Sequence, residues 1–84
     1  MVLRSRESAF KHGLNVETIE HAIEFWLLRK DDVNGTENTL FLGPDHAGNI
    51  LEVLARPVGE DDLIVFHAMP AGAQFLALVV DRKE

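Results

Sequence analysis

The chain has 84 residues, no cysteine, 46% apolar residues and a net charge of −6. That length supports one domain with a single modest core, and the apolar fraction excludes wholesale disorder. Without cysteine there are no disulfides or thiolate metal sites, and uniform acidity would repel phosphate backbones.

The charge is not evenly spread. Residues 1–12 carry Arg4, Arg6, Lys11 and His12 against Glu7 alone. A local basic site at that end is one reading; solvated charges on an exposed helix face are the other. The longest apolar runs are far short of a membrane span, and residues 1–12 lack the apolar core of a signal peptide. The expected setting is the cytoplasm, with no membrane association.

Ser5 to His12 reads as a first helix, ended by the basic pair Lys11-His12 and by Gly13. Cations in a last turn complement exposed carbonyls, and glycine accepts the left-handed conformation that ends a helix. Asn15 reads as the N-cap of a second helix, with Glu17 in its first turn. Ile19, Ala22, Ile23, Trp26 and Leu27 then recur at helical spacing, and Trp26 and the phenylalanines are expected in the core. Phe25 to Leu28 suits either a continued helix or the start of a strand.

Asn34-Gly35 marks a turn, so Trp26–Lys30 is expected to pair with Thr39–Leu42. Gly43-Pro44-Asp45 and Ala47-Gly48-Asn49 bound the next turn. The chain is organised around a hairpin of Ile50–Ala55 and Leu63–Ala68 with a loop of about five residues. The second strand of that hairpin is apolar at six of the seven positions from Leu63 to Met69, which places it in the middle of the fold. Ala73 to Val80 reads as a short terminal helix behind Pro70 and Gly72. The predicted architecture is one α+β domain over residues 1–84: two N-terminal helices, a four-stranded antiparallel sheet with helices on one face, and a short C-terminal helix.

Candidate chemistry is sparse. His12, His21, His46 and His67 show no metal-ligand spacing, and no metal or cofactor is expected. His12 is expected to cap a helix, His21 to be exposed and His46 to decorate a loop. His67 ends the most apolar strand. Glu52 is the one charge inside the partner strand and shares its face in any register whose paired numbers sum to an odd value. A histidine beside a carboxylate suits acid–base catalysis, and it equally suits one satisfied buried hydrogen bond.

Three segments, in order, resemble one family. Lys11-His12-Gly13 through His21-Ala22-Ile23, Leu42-Gly43-Pro44-Asp45-His46-Ala47-Gly48-Asn49 through Val53, and Val65-Phe66-His67-Ala68-Met69-Pro70-Ala71 are similar to segments of small bacterial toxins related to BrnT, in particular actinobacterial members. The resemblance implies a RelE-like fold and a ribonuclease silenced by a cognate antitoxin protein in a type II toxin–antitoxin pair, with RNA as substrate and a homodimer as a further association. By position, it implies His67 as the acid–base residue, for which the strand pattern offers Glu52 as catalytic partner, and Arg4, Arg6, Lys11 and His12 as phosphate-binding ones. The chain departs from the pattern at Gly72, where the family has arginine, and at Gln74, the next basic position. Those departures imply a weakened nuclease or a toxin-like protein-binding module without catalysis; an unrelated small regulatory domain is the third reading.

Overall fold

A computed structural model describes residues 2–5 and 13–81. The elements are β1 (Val2–Ser5), α1 (Val16–Glu24), β2 (Leu28–Lys30), β3 (Thr39–Pro44), β4 (Ile50–Val58), β5 (Asp62–Pro70) and α2 (Ala73–Asp81). They build one sheet of order β1-β5-β4-β3-β2. Strands β2 to β5 form the expected four-stranded antiparallel run. A fifth strand is added at its edge: β1 lies parallel to β5, with Val2 opposite Asp62 and Ser5 opposite Val65.

The expected first helix therefore loses its first residue, since Ser5 closes β1, and the rest of it lies outside the described residues. Helical spacing over so short a stretch is a weak signal, and pairing to β5 settles the matter for Val2–Ser5. The centre of the sheet is β4, not β5, because β1 occupies the far side of β5. No helix among the described residues is long and apolar enough to cross a membrane.

α1 forms as its sequence dictates. Asn15 is extended and its side-chain oxygen accepts the Thr18 N–H at 2.8 Å. Glu17 complements the free amides of the first turn. The helix stops at Glu24, with Phe25 as its cap, and the chain turns into β2. Residues 25–30 are thus a turn and a strand. Phe25 and Trp26 are consequently exposed, at 55% and 45%, rather than in the core. The apolar stripe is longer than the helix.

The core lies between α1 and the sheet. Ile19, Ala22 and Ile23 pack on Phe41, Leu51, Val53, Ala55, Val65 and Ala68. Gly43 sets the approach: a Cβ there would sit 2.0 Å from the Ala22 carbonyl oxygen. Any side chain at this position lifts the helix off the sheet. Leu40 and Leu42 alternate to the opposite face and are buried as well. α2 starts on that opposite side, where the Gly72 N–H meets Glu52, rather than beside α1.

The β4–β5 hairpin is longer than expected. Its strands run through Pro57, and only Gly59–Asp61 separate them. Pairing slips once: Leu54 faces His67 while Ala55 faces Val65, so Phe66 is the extra residue of that step. This is a β-bulge, with one more residue on β5 than on β4.

Candidate functional site

The bulge decides where His67 points. In a regular strand Val65 and His67 would share a face, because side chains alternate. Val65 and Ala68, three residues apart, are both fully buried against α1. The extra residue makes that spacing work, and it turns Phe66 and His67 together to the other face. Glu52, Leu54 and Arg56 of β4 alternate to the same face.

There His67 Nε2 lies 2.9 Å from Glu52 Oε2. The His67 side chain is 39% exposed and that of Glu52 only 13%. An ionised carboxylate accepts only, so the shared hydrogen sits on Nε2. The lone pair of the neutral ring is then at Nδ1, which has no partner among the described residues. The second carboxylate oxygen, Glu52 Oε1, accepts the Gly72 N–H at 3.1 Å. Gly72 is where α2 begins: its carbonyl accepts the N–H groups of Phe75 and Leu76, both at 3.0 Å. Glu52 thus fastens the imidazole with one oxygen and the helix start with the other. Its negative charge suits the positive end of that helix.

Of the proposed phosphate-binding residues, Arg4 lies in β1 with its Cα paired to Ile64, one strand over and three residues before His67. Arg6, Lys11 and His12 lie outside the described residues. Sequence reading missed Arg56, which shares the face of Glu52 and lies two residues beyond Leu54, the residue opposite His67. The signal was there in the alternation Glu52-Leu54-Arg56. The Arg56 Nε donates to Asn38 Oδ1 at 3.2 Å, and its guanidinium lies 5.4 Å from the Phe66 ring centre.

On the α1 face, two histidines meet that sequence spacing kept apart. The His21 and His46 ring centres are 4.1 Å apart, and the Phe25 ring centre lies 4.8 Å from that of His21. His21, expected to be exposed, is half-buried, and its Nδ1–H donates to the Pro44 carbonyl at 2.7 Å. The turn Asp45–Asn49 brings His46 over α1; Asp45 Oδ1 accepts the Ala47 and Asn49 amides at 2.9 and 2.8 Å. Among the described residues no three His, Asp or Glu side chains are placed to hold a metal ion. An open groove of about 900 Å³ runs beside α1, lined by acids of that helix and of the β4–β5 turn. Neither His67 nor Glu52 lines it, so this acid–base pair and the groove occupy different faces.

No family model matches the chain, and no curated protein and no solved structure is significantly similar to it.

Proposed function

We propose that the chain is the toxin-type member of a type II toxin–antitoxin pair, a RelE-like metal-independent ribonuclease whose reacting groups are His67 and Glu52. The observation that carries this reading is the 2.9 Å contact between His67 Nε2 and Glu52 Oε2, which leaves Nδ1 as the basic nitrogen. RNA cleavage without metal needs a base for the 2′-hydroxyl, an acid for the leaving 5′-oxygen and cations for the phosphorane. Nδ1 takes the hydroxyl proton, and the imidazolium so formed is stabilised by Glu52. The same proton is then available to the leaving oxygen. Arg56 is the cation nearest to the pair along β4, and β1, paired to β5, carries Arg4. The cognate antitoxin would cover this surface.

A second reading, a toxin-like protein-binding module without catalysis, is favoured by one feature. Gly72 directs its N–H to Glu52 and brings no cation, and Gln74, exposed on α2, brings none either. Loss of one charged contact to a transition state costs roughly 10²–10³ in rate.

The deciding experiment is RNA cleavage by three purified chains: the natural one, His67→Ala, and Gly72→Arg with Gln74→Lys. Cleavage by the natural chain that disappears in His67→Ala supports the nuclease. Undiminished cleavage by His67→Ala sinks the site. If only the doubly substituted chain cuts, the protein is a lapsed toxin and the second reading stands. If none cuts, the nuclease is abandoned.

A further inference from the structure

The groove beside α1 has an apolar floor and acidic walls. Ile23 and Phe41, both buried, form the floor, Leu63 and the exposed Pro57 add apolar lining at its edge, and His21 and His46 also line the groove. Glu17, Glu20 and Glu24 line it from α1, and Glu60 and Asp61 line it from the β4–β5 turn. Trp26 stands at its rim, 45% exposed, next to the exposed Phe25. Large apolar side chains exposed together beside a concavity mark interaction surfaces. Arg29, the Lys or Arg found in the lining among the described residues, is already committed: its Nε donates to Asp31 at 3.0 Å and its guanidinium lies 5.4 Å from the Phe41 ring centre.

We propose that this groove docks an amphipathic segment of a partner protein rich in arginine or lysine. Carboxylates only accept hydrogen bonds, so walls built of them ask for a ligand that only donates; guanidinium and ammonium groups do that. The exposed indole face adds a site for a cation over its ring. The apolar floor takes the residues that alternate with the cations. Nucleic acid is disfavoured by the sign of the charge. Charge complementarity and the aromatic rim carry this inference. It shares no residue with His67 and Glu52, so it stands or falls apart from the nuclease.

Trp26 is the only tryptophan, so its fluorescence reports the groove directly. The full chain is titrated with a short peptide of alternating arginine and leucine, with a glutamate–leucine peptide as control. The expected result is a saturable shift of Trp26 emission with the basic peptide alone, weakened by added salt. Glu17→Gln with Glu20→Gln and Glu24→Gln should weaken binding about tenfold. Glu60→Gln with Asp61→Asn should weaken it in the same direction, and this pair leaves α1 untouched. An absent emission change, or unchanged affinity in both charge variants, overturns the proposal. So does spermine that displaces the peptide and reproduces its spectral shift at equal charge, which would make the groove a site for small polycations.

Discussion

The two sides of the sheet are held by opposite kinds of force. Against α1 the contact is dry and steric: Gly43 lets the helix backbone touch the strand, and Ile19, Ala22 and Ile23 fill the space. On the other face, where Leu40 and Leu42 are also buried, a polar tie is added: one carboxylate, Glu52, joins His67 to the first residue of the α2 turn. The first side tolerates no added atom. The second tolerates change but depends on a single acceptor. The larger apolar core belongs to the α1 side, and the candidate chemistry belongs to the other.

Two glycines break that comparison most sharply. Gly43→Ala should destabilise the protein by about 3 kcal/mol, because the new methyl meets the Ala22 carbonyl. Gly72→Ala should cost less than about 1 kcal/mol, because its Cβ meets only Glu52 Oε1, at 3.9 Å. Denaturant midpoints of the two variants give the ratio directly; equal losses would mean that α1 does not rest on Gly43.

Glu52→Ala probes the polar side. It leaves the Gly72 N–H without its acceptor and should cost about 1–3 kcal/mol. Amide exchange at Gly72 should accelerate while exchange at Val53, in the dry core, follows global stability alone. Protection of Gly72 that survives the substitution would show that α2 is anchored by something else.

The smallest effect is electrostatic. The Asn49 amide, then the Asn49 side chain and the Ala47 and Gly48 amides, hold the Asp45 carboxyl below its ordinary value of 3.8. A depressed folded-state pKa contributes stability that is complete above the unfolded value. That stability is lost as pH falls through the folded one. The advantage of the parent over Asp45→Asn should therefore be full near neutrality and fade below about pH 3.8. A constant difference across that range would exclude Asp45 as the source.

Much of this was legible in the sequence because local signals agreed. Asn15 and the spacing of Ile19, Ala22 and Ile23 specified α1; the turn residues between Asn34 and Asn49 delimited β2 and β3. The odd-sum register that joins Glu52 to His67 is also the one observed, with Glu52 opposite Met69 and Leu54 opposite His67. Three things were not legible. The bulge at Phe66 has no glycine or proline to announce it, since it is set by the burial of Val65 and Ala68 on one face. Trp26 continues the apolar stripe of α1 yet falls beyond the helix cap. The pairing of β1 with β5 depends on a partner about sixty residues away along the chain, as Val2 opposite Asp62 shows, and periodicity within Val2–Ser5 carries no trace of it.

That last pairing has a kinetic consequence. The β3–β4 and β4–β5 pairs join neighbouring stretches, so their closure entropy is small and they form early. β1 closes the longest loop in the sheet and gains only four residues of ladder for it. Loop-closure entropy alone makes it the strand expected to dock last. Each departure uncovers the backbone of β5 on the N-terminal side of His67, from Asp62 to Val65, and a bare strand edge is a template for pairing with another chain. Transient loss of β1 would leave β5 as an open edge for another chain, and stapling β1 to β5 would keep that edge closed.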